Sequence, residues 1–249
     1  MVEQQALDFY NQNKNCTWIM EPLPAGSILE QASWILNKSN FGWIELDLTV
    51  DTASWQLEAL QADPYFVPHR EDNNTGWNSC CIHGIDVGKT GAWTNYGYTD
   101  EKLVPYQWTE LSHKALTIKN FWQNKFPADA YRRIRFMKLE PESAITPHSD
   151  MPGKLPGEDN FDALEFGVPV NIAVIHPADC HLVLKGYGIV PFKEGRAFIV
   201  NIRNYHSVIN FSKHPRVHVI GHPFGYGSNK EQFAELVVRS YEKMRGVHV

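Results

Sequence analysis

The sequence has little that would suit a membrane, secreted or nucleic-acid-binding protein. No run approaches the roughly 20 apolar residues of a membrane-spanning helix. The first 20 residues are polar and lack the apolar segment of a secretory signal. With 23 basic and 28 acidic residues the net charge is −5, and no basic stripe suggests a nucleic-acid surface. We therefore expect a cytoplasmic protein with neither nucleic-acid nor membrane partners.

Cysteine is scarce as well. The spacing of Cys16, Cys80, Cys81 and Cys180 fits no zinc site. In a chain expected to be cytoplasmic, free thiols are the default. Aromatic residues are plentiful by contrast, with 8 Trp, 10 Tyr and 13 Phe, enough for a large core and an aromatic-lined pocket.

Short segments of alternating apolar and polar residues are the main structural signal. Ile44 to Val50 has this strand period, and from Tyr131 onward such segments recur between turns. Many short strands at regular spacing favour a β-sandwich or barrel. The predicted strands of the C-terminal half are 134–139, 144–150, 168–175, 181–184, 196–202, 206–211 and 216–221.

Helical and loop patterns surround these strands. Residues 110–123 have apolar residues at helical spacing. Residues 228–245 predict a second helix, with Ser228 as its cap and one apolar stripe that indicates core packing. Residues 68–101 and 151–165 are rich in turn-forming residues, so we expect long loops between short strands in the first segment and a mobile loop in the second.

The most informative motif is His148-Ser149-Asp150. A histidine and a carboxylate at positions i and i+2 of a strand point to the same face. His206, from a later strand, would complete a set of two histidines and one carboxylate, which suits a non-haem Fe(II) centre with open positions. One match among 11 histidines is weak by itself, because a lone strand histidine is more often a core or surface residue. The strand-rich surroundings of both histidines favour the metal interpretation.

Arg216 is the candidate for binding a cosubstrate. Three free positions on the metal would accept a chelating 2-oxo acid and O₂, and the far carboxylate of 2-oxoglutarate would need a fixed bidentate cation. If the strands of His206 and Arg216 form a hairpin with a four-residue turn, Arg216 faces away from His206. With a three-residue turn or a bulge, Arg216 pairs with Ser212 and shares the face of His206. We predict the second arrangement.

The segment Met137-Lys138-Leu139-Glu140-Pro141-Glu142-Ser143-Ala144-Ile145-Thr146-Pro147-His148-Ser149-Asp150 resembles the first metal motif of the aspartyl/asparaginyl β-hydroxylase-like family of 2-oxoglutarate/Fe(II) oxygenases. The resemblance covers about residues 131–222 and is looser before them. Any one motif would be weak, but the ordered set is specific. The further matching segments are 176–182, 192–197, 205–210 and 216–217.

This resemblance implies a mainly β fold, a double-stranded β-helix (jelly roll, cupin-like) with flanking α-helices. It implies Fe(II) bound by His148, Asp150 and His206, with 2-oxoglutarate anchored by Arg216 and O₂ as the oxidant. Because Asp150 fills the carboxylate position, it leaves no vacancy for a halide, and hydroxylation is favoured over halogenation. We expect one oxygenase domain over residues 1–249, built from a mixed support (1–130), a metal-binding core (131–222) and a C-terminal helix (228–246).

The chain departs from the family at one place. Family members often carry Arg-x-His on the strand before the Pro-x-x-Cys turn, where this sequence has Pro169 and Asn171. Asn171 can hydrogen-bond a carboxylate but carries no charge, so it is a candidate second anchor for 2-oxoglutarate. His176, His181 and His218 have no motif role that can be assigned, and we expect surface or structural roles for them.

The sequence thus predicts a 2-oxoglutarate- and Fe(II)-dependent hydroxylase of a small polar substrate, such as a free amino acid or a residue in a peptide. Segments 77–79 and 93–96 are candidates for lining the pocket, and 151–165 for closing over it, although loop structure is the commoner role of such segments. Two other interpretations remain open. One is a cupin-like metal-dependent isomerase or lyase, which would not need Arg216. The other is a non-catalytic ligand-binding β-sandwich.

Overall fold

The computed structural model describes residues 3–69, 76–150 and 162–246. The α-helices in these ranges are α1 (Gln4–Asn13), α2 (Ile28–Asn37), α3 (Thr52–Gln61), α4 (Leu116–Asn124), α5 (Ala163–Phe166) and α6 (Lys230–Met244). The strands are β1 (Trp43–Thr49), β2 (Val67–Pro68), β3 (Trp77–Gly84), β4 (Gln107–Trp108), β5 (Tyr131–Leu139), β6 (Ala144–His148), β7 (Val170–Ile175), β8 (Cys180–Leu184), β9 (Gly188–Ile189), β10 (Arg196–Val200), β11 (His206–Asn210) and β12 (Arg216–Pro223). In the described part of the chain, no helix is long and apolar enough to cross a membrane.

The strands form two sheets, and the chain passes repeatedly between them. The larger sheet has the order β1-β10-β7-β12-β5-β3-β2, with β4 beside β3, and the smaller has the order β6-β11-β8-β9. From β5 to β8 each successive strand changes sheet, and β10, β11 and β12 alternate in the same way. This alternation between two antiparallel sheets is that of a double-stranded β-helix, so the predicted mainly β fold class is confirmed.

The two faces of the larger sheet are buried in different ways. On β5, Ile134 and Phe136 belong to a large apolar core that also includes helix residues such as Ile35 and Phe233. Because side chains alternate along a strand, Arg133 and Arg135 lie on the opposite face, towards the smaller sheet. The helices therefore help to build the main core, and the space between the sheets holds polar side chains as well as a second apolar cluster.

Most predicted strands are present, but two predictions of the N-terminal half are wrong in part. Residues 68–101, predicted as long loops between short strands, contain the eight-residue strand β3, whose Cys80 and Cys81 are buried on its two faces. The helix predicted over 110–123 is a 3-10 turn over Glu110–His113, and α4 begins only at Leu116. The Glu58 carboxylate accepts hydrogen bonds from two backbone N–H groups of α4, so a tertiary contact sets where this helix begins.

The C-terminal helix is confirmed, but its predicted cap is wrong. Ser228 lies in a 3-10 turn before α6, and its N–H donates to Asp129 at 2.7 Å. The apolar stripe is packed into the core as predicted, with Phe233, Leu236 and Tyr241 buried. All four cysteines are free thiols.

The segment 151–165, predicted as a mobile loop, falls largely outside the described residues. The part that is described begins at Asp162, whose side chain accepts from Leu164 N–H at 2.9 Å and caps the short helix α5. Residues 163–165 are therefore helical, and the loop prediction is wrong for them.

Candidate metal centre

His148, Asp150 and His206 converge at one end of the smaller sheet. His148 ends β6 and pairs with His206, the first residue of β11, so their rings lie side by side at 4.4 Å between centroids. His148 Nε2 lies 3.3 Å from Asp150 Oδ1, and His206 Nε2 lies 3.8 Å from Asp150 Oδ2. One nitrogen or oxygen from each residue lies within 4.8 Å of the other two, close enough to surround a single metal ion.

Asp150 reaches this site in a way that the motif did not predict. It lies two residues beyond the end of β6, so the strand alternation that was expected to align it with His148 does not apply. Its backbone N–H instead donates to Ile202 O at 3.2 Å, which holds the chain beside the start of β11. A contact between segments far apart in sequence therefore positions the carboxylate.

Both imidazole rings are oriented by the nitrogen that faces away from the site. His148 Nδ1 donates to Thr146 O at 2.7 Å, and His206 Nδ1 donates to Asn204 O at 3.0 Å. A proton fixed on Nδ1 leaves the lone pair of each Nε2 available, and metal-binding histidines commonly have this arrangement. The donor set and its orientation therefore fit a divalent iron ion.

Arg216 faces the same cavity from the other sheet. The predicted hairpin is wrong, because β11 pairs with β6 and β8, whereas β12 pairs with β5 and β7. The residues between the two strands cross from one sheet to the other rather than forming a tight turn. Arg216 nevertheless lines the same cavity as His148 and His206, because the inner faces of the two sheets are opposite each other.

Arg216 is a buried cation. It is 3% exposed, and burial lowers its pKa to about 10. Within residues 3–69, 76–150 and 162–246, no carboxylate lies at ion-pair distance from Arg216, and its Nε has no hydrogen-bond partner. A buried guanidinium in this state is costly unless an anion reaches it.

A sequence profile of the aspartyl/asparaginyl beta-hydroxylase family matches residues 54–222. The chain belongs to this family. It is accordingly a 2-oxoglutarate-dependent dioxygenase, as the motifs from Met137 to Val217 predicted. No curated protein sequence matches the chain significantly.

Solved structures of similar fold come from several organisms. A 2OG-Fe(II) oxygenase family oxidoreductase from Burkholderia pseudomallei has 14% identity and a TM-score of 0.46, with 84% of this chain and 96% of that chain covered. A prolyl-4-hydroxylase from Pseudomonas putida has 12% identity and a TM-score of 0.42, with 80% and 99% covered. A Trichoplax adhaerens prolyl hydroxylase, solved with a hypoxia inducible factor peptide, has 12% identity and a TM-score of 0.42, with 82% and 90% covered.

The cavity of this family member holds about 450 Å³ and contains several polar residues that the sequence reasoning missed. On β12, the alternation that points Arg216 inward also points Ile220 and His222 inward, and this signal was readable from the sequence. Of the predicted lining segments, Trp77 and Asn95 reach the cavity. These missed cavity-lining polar residues are His69, Arg133, Arg135 and His222.

His218 was expected to be a surface or structural residue, and it is fully buried beside Arg216. Its Nδ1 lies 2.8 Å from Arg216 Nη2 and 2.7 Å from the side-chain amide of Asn171, and its Nε2 lies 2.9 Å from His176 Nδ1. Burial first, and then the charge of Arg216, hold the pKa of His218 well below its ordinary value. The ring is therefore neutral and can accept a hydrogen bond from the guanidinium. Asn171, the predicted second anchor, contacts this ring and also lines the cavity.

Proposed function

We propose that this dioxygenase is a hydroxylase in which His148, Asp150 and His206 bind Fe(II), and Arg216 binds the far carboxylate of 2-oxoglutarate. The overall reaction converts a substrate C–H bond, O₂ and 2-oxoglutarate into C–OH, succinate and CO₂. The substrate is a small polar molecule, such as a free amino acid or a residue in a peptide. The cavity volume of about 450 Å³ supports this size class, because 2-oxoglutarate would take part of the space.

The buried charge of Arg216, which has no carboxylate partner among the described residues, is the observation that carries this proposal. A cupin-like isomerase or lyase would use the three metal ligands but would have no need of a buried arginine beside them. A non-catalytic binding module would need neither the three metal ligands nor the buried arginine. A dianionic cosubstrate explains both features together, since one carboxylate binds the metal and the other neutralises Arg216.

The protein's own groups would bind, orient and desolvate the reactants. When bound, the metal supplies the oxygen-activating chemistry that couples decarboxylation of 2-oxoglutarate to hydroxylation. Apolar side chains of the smaller sheet exclude water around the ligands, among them Ile145, Leu182 and Val208. His218 holds the Arg216 guanidinium in place and is itself contacted by Asn171, which can also donate to a cosubstrate carboxylate.

Absorption spectroscopy under anaerobic conditions tests the metal and cosubstrate sites. Fe(II) with 2-oxoglutarate should give a weak visible charge-transfer band, and His148→Ala should abolish both iron binding and the band. Arg239→Gln, which removes an exposed arginine of α6, is the matched control and should keep both. Iron binding without the band would favour the isomerase or lyase, and no metal binding would favour the binding module.

A screen of small metabolites for stimulated succinate formation tests the reaction itself. A hydroxylase releases succinate faster when its substrate is present, and mass spectrometry should then find a product heavier by one oxygen atom. Succinate release without any oxidised product, across amino acids and short peptides, would contradict the proposed substrate class.

A further inference from the structure

The cavity has a second group of cations, distant from Arg216. Arg133 and Arg135 lie on the inner face of β5 and line the cavity. In the pairing of β5 with β12, Arg216 lies opposite Leu139, whereas Ile220 lies opposite Arg135. Four residues of strand therefore separate Arg216 from the level of Arg135, about 14 Å at the rise of an antiparallel strand. The other carboxylate of 2-oxoglutarate is assigned to the metal, so this second group of cations is left for a different anion.

The neighbouring strand β7 adds no charge at the level of this second group. Ile220 pairs with Asn171 on one side and with Arg135 on the other, so the three residues form one row across the sheet. The next inward residue of β12, His222, pairs with Arg133. At this end of the cavity, β5 therefore supplies the cations that Asn171 and its strand do not.

Backbone carbonyl groups hold both guanidinium groups in place. Arg135 Nη1 donates to Thr90 O at 2.6 Å, and Arg133 Nη1 donates to Thr90 O at 3.1 Å and to Gly91 O. Among the residues that the structure describes, no carboxylate lies at ion-pair distance from Arg133. Nη1 makes both of these contacts of Arg133, so the Nε and Nη2 edge can face a ligand.

The pKa of the neighbouring His222 is influenced by this positive charge and also by the charge of Asp150. Burial first, and then Arg135 and Arg133, hold the pKa of His222 well below its ordinary value, while the negative charge of Asp150 acts in the opposite direction. Asp150 is thus close enough to influence His222. The arginine pair and the proposed metal ligands therefore line the same cavity.

We propose that Arg133 and Arg135 bind a carboxylate group of the substrate, so that the enzyme oxidises small molecules or side chains bearing that group. This inference rests on the proposed function, because it assigns Arg216 to 2-oxoglutarate and leaves the second pair to the substrate. Paired guanidinium groups fit a carboxylate through charge-assisted, bidentate hydrogen bonds. The carboxylate would fix which substrate carbon faces His148, Asp150 and His206.

Binding of paired probes tests this proposal on the wild-type protein. The probes are free amino acids with their primary amides, and end-blocked peptides that contain Asp or Asn. The enzyme is loaded with Fe(II) and 2-oxoglutarate without oxygen, and binding is followed through tryptophan fluorescence, since Trp77 lines the cavity. Among probes that bind, we expect the carboxylate member to bind at least about thirtyfold tighter than its amide. If the preference for the carboxylate member appears among the free amino acids, the carboxylate belongs to a free amino acid; if it appears among the peptides, the carboxylate belongs to an Asp side chain. Equal affinities in every pair would overturn the proposal.

Variants then assign the preference to the arginine pair. Arg133→Gln should bring the affinities for the carboxylate probe and its amide to within about threefold of each other. Arg133→Lys should restore part of the preference, because it keeps the charge but loses the planar fork. Arg239→Gln on α6 is the charge-matched control, and thermal unfolding verifies that each variant is folded. A ratio unchanged in Arg133→Gln would refute the assignment.

The same samples separate this proposal from the proposed function. If the charge-transfer band forms but no carboxylate preference exists, the substrate assignment fails and the oxygenase function stands. If the band does not form, the proposed function fails, and the fluorescence measurement still decides whether carboxylates bind through Arg133.

Discussion

Arg216 and His218 lie on the same face of β12, with Arg216 Nη2 2.8 Å from His218 Nδ1. Because a guanidinium only donates hydrogen bonds, Nδ1 of His218 must accept, and its proton lies on Nε2. The Asn171 amide, which lies 2.7 Å from the same Nδ1, must then turn its NH2 group rather than its oxygen towards the ring. Nε2–H then donates to His176 Nδ1 at 2.9 Å, and the His176 ring in turn hydrogen-bonds the backbone of Cys180. A chain of hydrogen bonds thus runs from the proposed cosubstrate anchor to the first residue of β8 and fixes the guanidinium.

His218 should therefore position Arg216 for 2-oxoglutarate. We expect His218→Phe to weaken 2-oxoglutarate binding about tenfold, since the loss of one hydrogen bond to a charged group is worth about 1.5–3 kcal/mol and part of it is recovered by repacking. Titration of the charge-transfer band measures this affinity. His218→Gln keeps an acceptor and should bind more tightly than the Phe variant. If Phe and Gln behave alike, the hydrogen bond is not what positions Arg216.

Arg216→Met should separate stability from function. The side chain is buried, and its charge has no carboxylate partner in the described part of the chain, so its removal should raise the free energy of unfolding of the cosubstrate-free protein by about 1–3 kcal/mol. The same variant should lose the charge-transfer band with 2-oxoglutarate while it still binds iron. Denaturant titration with and without 2-oxoglutarate measures both effects. A less stable Arg216→Met protein would indicate that Arg216 is satisfied within the fold.

Local patterns predicted the strands and the three converging ligands, but not the contacts that bring them together. His148 and His206 were predicted because their segments alternate as strands, and alternation is a local property. The hairpin between β11 and β12 was wrong because the sheet that a strand joins depends on pairing between distant segments. Asp150 lies beyond its strand and depends on Ile202, a contact that no local pattern encodes. The inward position of the polar residues of β12 could have been predicted, because strand alternation places His218 and His222 on the same face as Arg216.

The protein should lose stability as the pH falls below neutrality. Burial lowers the pKa of His83 to about 4, and burial followed by the charge of Arg216 lowers the pKa of His176 to about 3. In the unfolded chain each histidine titrates near 6.5, so between that value and the folded pKa the unfolded state binds the additional proton. Stability is therefore fully present above about pH 6.5, and each histidine removes about 1.4 kcal/mol per pH unit below it.

His83 gives the cleaner test of this pH dependence, because it does not line the cavity of the metal centre. His83→Gln should reduce the slope of unfolding free energy against pH by about 1.4 kcal/mol per unit between pH 6 and pH 4.5. Denaturant titrations at several pH values measure this slope, and His113→Gln in the exposed 3-10 turn is the matched control. An unchanged slope in His83→Gln would mean that folding does not lower the pKa of His83.

Gly221 on β12 permits close packing of the sheet against Trp122 of α4. A Cβ atom at position 221 would lie 2.7 Å from Cζ3 of the Trp122 ring, which is fully buried and cannot swing away. We expect Gly221→Ala to lower the free energy of unfolding by about 1–3 kcal/mol, the usual cost of overpacking a core. Trp122→Phe removes part of the opposing ring, so the same glycine substitution should cost less than about 1 kcal/mol in that background. Denaturant titration of the two single variants and the double variant measures this coupling. If the losses of unfolding free energy in the two single variants simply add in the double variant, the sheet, rather than the Trp122 ring, moves to accommodate the added methyl group. The inward side chains Ile220 and His222 would then shift with the strand.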